Sequence, residues 1–377
     1  MDADLHPIAR LPEDWERTLS TRGEPPFRAR QVFRWIHARG ITDPECMTDL
    51  GRDLRVSLGA IEQPARVAEV LRSADGTRKL VLELARGARV ECVLIPMTRS
   101  EDADAGAAVD DDPAADDTEA TEPAPGRVTL CISTQFGCAM GCVFCASGRA
   151  GLLRGLGAHE IVSQVLLARR ELDPGERLRN LVFMGMGEPL HHYEETARAL
   201  RLLTHPLGAA LSPRRITVST VGLVPGIRRL GRDFGGKLGL AVSLHAPDDA
   251  TRNRIVPMNR RYPIGELMAA LREYPLPRRR RITVEYTLIA GENDRLEQAR
   301  ALARLLAGLR VKVNLIPMND VTGAAFRAPP AERVAAFRET LAAAGLSCFV
   351  RTRRGDDVAA ACGQLALASD LVRQRDS

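Results

Sequence analysis

From residue 127 into the 340s the chain repeats one unit, a short β-branched and apolar run followed by an amphipathic stretch at helical spacing. This alternation constrains the fold most, because a strand that leads into a helix returns to a parallel neighbour. The strand segments are RVTLCIST (127–134), NLVFMG (180–185), RRITVST (214–220), LGLAVSLH (238–245), RITVEYTLI (281–289), KVNLIPM (312–318) and SCFVRT (347–352). Between them lie AHEIVSQVLLARREL, YEETARALRLLT, GLVPGIRRLG, PIGELMAALREY, DRLEQARALARLLAG and PAERVAAFRETLAAAG. Six such units predict an α/β fold, with a parallel sheet and outer helices closed fully or partly into a (βα) barrel. Chemistry in such a fold sits at the C-terminal ends of the strands. No repeat of fixed period is present, which argues against solenoids and propellers.

The flanks have other patterns. Residues 1–60 read as short helices, with Pro25-Pro26 marking a helix start in PPFRARQVFRWIHARG. Residues 61–97 alternate with DGT and RGA turns, which predicts a small antiparallel β segment. Residues 98–126 read as a disordered acidic insertion. Residues 127–353 hold the barrel, and a last segment, 354–377, predicts a short closing helix in DDVAAACGQLALASDLV. No run of eighteen apolar residues exists, and the N-terminus lacks a signal-peptide pattern, so the expected setting is the cytoplasm with reduced thiols.

Charge divides the same way. The formal net charge of +5 conceals ten acidic residues between Ser100 and Gly126, where no basic residue occurs. The remainder carries 53 basic against 38 acidic residues, and only Lys79, Lys237 and Lys312 are lysine. An arginine-rich body suits a polyanion such as nucleic acid. A GC-rich genome writing Arg for Lys on any surface explains the bias equally well. Basic groups recur at Arg149 and Arg154, at Arg252, Arg254, Arg260 and Arg261, at Arg278 to Arg281, and at Arg351, Arg353 and Arg354.

The chemistry is signalled by cysteine. Directly after the first barrel strand comes Cys138-Ala-Met-Gly-Cys142-Val-Phe-Cys145, a C-x3-C-x2-C spacing. Three thiolates on one tight loop can hold three corners of a cubane iron–sulfur cluster and leave one iron open, as a catalytic centre needs. Structural zinc is the competing reading, but it wants a second Cys or His pair, and none is near. Phe144 can shield such a cluster or stack on a ligand. Gly185-Met-Gly187-Glu188-Pro189 follows the next strand, where glycine lets backbone approach a ligand and Glu188 can meet an ammonium group. Ser219, Ser243-Leu244-His245 and Asn319 fall at further strand ends. Each alone reads as a turn or core residue, but together they outline one cleft.

These strings resemble a known family. TLCISTQFGCAMGCVFCASGRAGLLRGL, LVFMGMGEPL, ITVSTVGLVPGI, AVSLHAPDDATRNRIVPMN, VNLIPMN and RTRRGDDVAAACGQL are similar to the RlmN/Cfr family of radical S-adenosylmethionine (SAM) adenosine methyltransferases. PFRARQVFRWIHARG resembles that family's N-terminal accessory module, and the likeness spans about residues 11 to 370. It implies a partial (βα)6-type radical SAM barrel with an N-terminal helical accessory module.

The resemblance also implies roles. Cys138, Cys142 and Cys145 would bind a [4Fe-4S] cluster whose open iron takes SAM. Gly187, Glu188, Ser219, Ser243, Leu244, His245 and Asn319 would contact SAM. Cys362, in AACGQ, would carry a methyl in transit, Cys131 would be the second mechanistic cysteine, and Glu91, in VECVLIP, the proton acceptor. Cys46, Cys92 and Cys348 remain as inert thiols. The implied reaction methylates C2 of adenosine in 23S rRNA and tRNA through an S-methylcysteine, with two SAM per turnover. The implied partners are those RNAs and a low-potential donor such as flavodoxin or ferredoxin, with no membrane, for a monomer. C8 methylation of the rRNA adenosine, a non-catalytic iron–sulfur RNA-binding protein and a zinc-ribbon regulator are the alternatives.

Overall fold

The computed structural model describes residues 5–97, 126–319, 326–351 and 353–365. Residues 98–125, the body of the predicted acidic insertion, lie outside the described residues. Helix α1 (Pro12–Ser20) starts on Pro12, and the Asp14 side chain accepts from Leu11 N at 2.8 Å, which caps its first turn. Helix α2 (Pro26–His37) buries Ala29, Val32, Phe33 and Ile36, the i, i+3, i+4, i+7 stripe of an amphipathic helix. Helix α3 (Arg52–Leu58) completes the module.

Three antiparallel strands follow, β1 (Ala65–Arg72), β2 (Arg78–Leu84) and β3 (Arg89–Met97). The barrel begins with β4 (Gly126–Cys131), then a loop holding β5 (Gln135–Gly137), helix α4 (Ala146–Ala150) and β6 (Leu152–Gly155). Helix α5 (Ala158–Ala168) leads to β7 (Glu176–Phe183), and α6 (Tyr193–Thr204) to β8 (Ile216–Thr220). Helix α7 (Val224–Phe234), β9 (Gly239–Ser243), α8 (Asp249–Ile255), α9 (Ile264–Glu273) and β10 (Ile282–Leu288) continue the pattern. It ends with α10 (Leu296–Leu306), β11 (Val311–Pro317), α11 (Ala331–Ala343) and β12 (Cys348–Val350).

One ten-stranded sheet runs β1-β2-β3-β4-β7-β8-β9-β10-β11-β12. Strands β4, β7, β8, β9, β10, β11 and β12 are parallel in sequence order, which is the expected partial barrel. The small β segment extends this sheet, because β3 pairs antiparallel with β4, Val93 opposite Cys131 and Met97 opposite Arg127. Strand β10 is buried at every position. Val284, Tyr286 and Leu288 alternate with Thr283, Glu285 and Thr287, so one face meets the helices and the other the barrel interior. No helix among the described residues is long and apolar enough to cross a membrane.

The predicted closing helix does not form where it is described. Only a 3-10 turn, Asp356–Val358, is present before a turn carrying Cys362. Gly355, Ala359 and Gly363 adopt left-handed backbone at φ 64°, 49° and 83°, which breaks any continuous helix.

The N-terminal module joins the barrel through polar and aromatic contacts. Arg198 on α6 donates to Asp14 Oδ2 at 2.8 Å and to Ala9 O at 3.1 Å, and Phe33 meets the His205 ring at 4.7 Å. Asp14 is buried and serves both its own helix cap and this ion pair. Asp14→Ala should therefore cost about 2 kcal/mol, from a lost cap and a charge left half-buried. A urea midpoint that falls with an unchanged slope would show it, and an unchanged midpoint would refute it.

Candidate active site

The loop after β4 folds back on itself as a β5–β6 hairpin that frames the three clustered cysteines. Gly137 sits at φ +79°, and a Cβ there would stand 1.9 Å from Gly151 O, so the turn into Cys138 requires glycine. Cys138, Cys142 and Phe144 are buried against Val221, Ile255, Val256, Ile289 and Met318, a separate apolar cluster at the mouth of the barrel.

Burial pushes the Cys138 thiol up to about 12 and Cys142 well above its ordinary value, and the charges of neighbouring cysteines add to both shifts. Burial also raises Cys145, against the N–H groups of Gly148 and Ser147. Such thiols ionise readily only beside a strong local positive charge, which a metal centre provides. No three His, Cys, Asp or Glu side chains among the described residues converge to hold one metal ion. Three cysteines on one tight, glycine-bearing loop are a donor set that fits a three-cysteine iron–sulfur cluster.

A cleft of about 980 Å³ opens beside this loop, at the C-terminal ends of the parallel strands. Cys138, Cys142, Cys145, Gly187, Glu188, Ser219, Ser243, His245, Asn319 and Cys362 all line it. Gly187 is at φ +100°, and a Cβ would lie 2.5 Å from the Gln135 side chain, which explains the glycine before Glu188. Glu188 is buried and accepts from Val221 N at 2.8 Å and Leu190 N at 3.1 Å. Burial raises its carboxyl to about 7, against those two N–H donors and Thr220. His245 lies under Phe144 in an edge contact at 4.7 Å, and its Nδ1 accepts from Thr287 N at 2.9 Å. That bond leaves Nε2 as the protonated nitrogen, and burial holds the ring neutral by lowering its pKa to about 3.

Three sequence candidates do not line the cleft. The Leu244 side chain is fully buried in the core, while its backbone N donates to Glu285 O at 3.0 Å. Cys131 is buried, and burial, then the charge of Cys362, pushes its thiol up, so the two sulfurs are electrostatic neighbours. Glu91 is buried and paired with Lys79 Nζ at 3.1 Å, while its Oε2 has no hydrogen-bond partner among the described residues.

Cys362 reaches the cleft from the far end of the chain. Asn319 Nδ2 donates to Cys362 O at 2.8 Å, and Ala146 N on the cysteine loop donates to Gly363 O at 2.9 Å. Ser147 Oγ donates to Leu365 O. The β1–β2 turn clasps the same segment from outside. Gly355 N donates to Asp75 Oδ2 at 2.9 Å, Ala74 N to Asp357 Oδ2 at 3.1 Å, and Lys79 Nζ to Ala359 O at 3.4 Å.

Other residues went unnoticed in sequence or were read differently. Arg252 belongs to the basic groups suited to RNA, yet it is 1% exposed. Its guanidinium donates to Leu244 O, Asn259 Oδ1, Val221 O and Ser243 O, which ties the ends of β8 and β9 to the turn after α8. Arg351 likewise turns inward to line the cleft, where the charge of Cys362 most strongly raises its pKa. Glu285, also on the wall, keeps a buried Oε2 without a partner among the described residues, and Asn319 Oδ1 is in the same state. Gln164 brackets Ser133 N at 2.9 Å and Ser133 O at 2.8 Å, which fixes the exit of β4. Nothing in residue spacing marks these, because each acts through backbone that only the fold brings near.

Comparison with known proteins follows this geometry. Residues 132–304 match the radical SAM superfamily, and residues 13–63 match the ribosomal RNA large subunit methyltransferase N-terminal domain. A dual-specificity RNA methyltransferase RlmN of Sorangium cellulosum is 60% identical, covering 96% of each chain. The RlmN of Anaeromyxobacter dehalogenans is 48% identical over 96% of this chain and 92% of its own. A crystal structure of a radical SAM methyltransferase from Sphaerobacter thermophilus superposes with TM-score 0.83 at 42% identity, over 95% of this chain and 98% of that one.

The clasp makes a local prediction. Asp75→Ala should loosen the Cys362 segment, speed its limited proteolysis and lower kcat severalfold without changing the overall melting midpoint. Proteolysis and kcat both equal to wild type would show that the β1–β2 turn does not position Cys362.

Proposed function

The chain belongs to the RlmN family of radical SAM RNA methyltransferases, and from that premise we propose that it methylates C2 of adenosine in 23S rRNA and in tRNA. One observation carries the reading: the cysteine loop and Cys362, over two hundred residues apart in sequence, meet at one cleft. A purely structural or RNA-binding iron–sulfur protein has no need of a separate thiol held there. Its cofactors are a [4Fe-4S] cluster and SAM, with two SAM used per turnover. We assign the cluster to Cys138, Cys142 and Cys145, and SAM to Gly187, Glu188, Ser219, Ser243 and His245, with Leu244 contributing backbone only. Held by those three cysteines and reduced, the cluster would supply a 5′-deoxyadenosyl radical from bound SAM.

The chain's own residues do the rest. C2 of adenine is an unreactive aromatic carbon that does not attack a sulfonium methyl, whereas a thiolate does. Cys362 is the thiol that takes the methyl, and Asn319 and the Ala146 N–H hold its backbone at the cleft. A hydrogen atom lost from the Cys362 methyl to that radical would let the methylene carbon join C2, so that Cys362 is covalently bound to RNA, and the ring's unpaired electron would return to the cluster as the ring proton leaves. Glu91 is the base that removes the ring proton, its carboxyl raised by burial despite Lys79. Cys131 then attacks the Cys362 sulfur, and the electron pair of the broken C–S bond goes to the product carbon, which takes up a proton to complete the methyl. A Cys131–Cys362 disulfide is left for reduction before the next turnover. Asn319 Oδ1, buried and unpartnered among the described residues, is placed to accept from a ligand N–H or O–H.

The N-terminal helices grip the RNA, the protein acts as a monomer with a flavodoxin- or ferredoxin-type donor, and it works in the cytoplasm. C8 methylation of rRNA is the second reading within the class, and product mass spectrometry of 2-methyl- against 8-methyladenosine separates them.

Two predictions follow from these roles. Cys362→Ala should give no methylated RNA, while Cys131→Ala should accumulate an RNA–protein adduct on denaturing gels. Methylation by Cys362→Ala would sink the mechanism. For Glu188 the raised pKa sets the sign: the protonated acid is favoured below about 7, and the carboxylate that pairs with the SAM ammonium is favoured above it. SAM affinity should then fall about tenfold from pH 8 to pH 6. Calorimetric titration should find this slope flattened in Glu188→Gln, and a flat wild-type profile would refute it.

A further inference from the structure

The end of the barrel opposite the cleft carries a second built feature. Arg278, Arg279, Arg280, Arg281 and Arg310 line a concavity of about 1090 Å³ with Gly345, Leu346 and Ser347. These residues immediately precede β10, β11 and β12, so the concavity opens at the N-terminal ends of the parallel strands. The cleft lies at their other ends, about 20 Å away along a seven-residue strand.

The arginines are held by neutral oxygens. Arg310 donates to the carbonyls of Leu276 at 2.7 Å, Pro277 at 2.8 Å and Arg278 at 2.5 Å. Arg281 donates to Ser347 Oγ at 2.8 Å, and buried Arg280 to Lys237 O at 2.6 Å. These bonds order the loop without cancelling its charge. Among the described residues no carboxylate pairs with Arg278, Arg279, Arg281 or Arg310, and the first three are exposed. The loops at this end that lead into β8 to β12 (205–215, 235–238, 274–281, 307–310 and 344–347) contain eight Lys or Arg and no Asp or Glu.

A compositional preference for arginine does not explain this. Elsewhere several surface arginines sit in ion pairs, as in Arg228–Glu273 at 3.0 Å, Arg229–Glu194 at 2.5 Å and Arg254–Glu292 at 3.2 Å. A run of four adjacent arginines repels itself unless a chain of negative charges lies along it, and guanidinium forks match phosphate. A single small anion would leave most of that charge unanswered.

We propose that this arginine concavity is a second RNA-backbone site, which grips substrate RNA that extends from the mouth around to the reverse face of the barrel. The proposal rests on the RNA methyltransferase reading and adds to it a substrate class. Long structured RNA engages both ends, whereas a short hairpin engages the mouth alone. The contacts are to phosphate, so they add affinity and salt dependence but no sequence preference.

The test combines Arg278→Gln, Arg279→Gln and Arg281→Gln, all exposed positions, in the full-length reconstituted enzyme. Two probes are used: a 23S rRNA fragment spanning the peptidyl-transferase centre, and a short hairpin cut from it that carries the target adenosine. Filter binding from about 50 to 200 mM salt should show the fragment's log–log salt slope reduced by about 2 to 3, and its Kd at low salt raised tenfold or more. Hairpin binding and single-turnover hairpin methylation should stay at wild-type levels. An unchanged fragment slope overturns the proposal, and so does an equal loss on hairpin and fragment, which would place the arginines at the mouth. Excision of residues 98–125 that strengthens fragment binding by wild type but not by the triple variant would assign the concavity to that acidic segment instead, and overturn it. Wild-type enzyme that methylates neither RNA would sink the methyltransferase reading itself, a result separate from any change in slope.

Discussion

Three thiols crowd one loop, two of them buried, and Cys145 raises the pKa of both Cys138 and Cys142, a constraint around which the upper half of the barrel is arranged. Cys142 carries the largest burden, with burial and both other cluster cysteines opposing its ionisation. Arg252 is the cation that works against this from the protein side, and its own pKa is lowered to about 10 by its burial. The same guanidinium fastens Leu244, Ser243 and Val221 by their carbonyls. One side chain thus helps the thiols to ionise and also sets the positions of the strand-end loops opposite them. Arginine suits this double use, because five donors on a rigid plane can satisfy several carbonyls while the charge persists.

The C-terminal segment meets the same loop under a different rule. Its described residues hold only one 3-10 turn, so their position is set by bonds from three other elements. The cysteine loop supplies Ala146 N and Ser147 Oγ, β11's exit supplies Asn319, and the β1–β2 turn supplies Asp75 and Ala74. Asp75 is partly buried, which raises its carboxyl, but N–H donors from Gly355 and Thr77 outweigh this and hold it at about 2. The first antiparallel strands therefore have a second task besides extending the sheet. Through Lys79, which contacts both Glu91 and Ala359 O, the same hairpin links the proposed base to the segment carrying the proposed methyl acceptor.

The barrel was legible because its strands are buried on both faces and its helices on one, so each has its own hydrophobic period. YEETARALRLLT matches helix α6 residue for residue, and strand ends shifted by only a few residues elsewhere. The cysteine spacing was equally readable, since it is local. What stayed hidden depends on chain reversal. The β5–β6 hairpin is too short for any period to register. The AACGQ segment carries an apolar pattern that suggested a helix, and left-handed Ala359 beside Gly355 and Gly363 breaks it. Arg252 and Arg351 stood among the basic groups because a guanidinium in sequence does not tell which carbonyls the fold will bring to it.

The arginine bias itself now separates into uses with different physics. Several helix-surface arginines are matched by acids and contribute little each, since exposed pairs are worth at most about 1 kcal/mol. Arg252 is buried and Arg351 half-buried beside sulfur, where a positive charge is felt more strongly than at the surface. On the reverse face Arg278, Arg279, Arg281 and Arg310 have no carboxylate partner among the described residues, a charge that costs stability through self-repulsion and so calls for a compensating anion. A genome-wide preference for arginine accounts for the first group only. The low aromatic content of 4% fits the same division. Phe144 and His245 place aromatic faces at the cleft, where a base must be received, and guanidinium planes serve where only backbone is met.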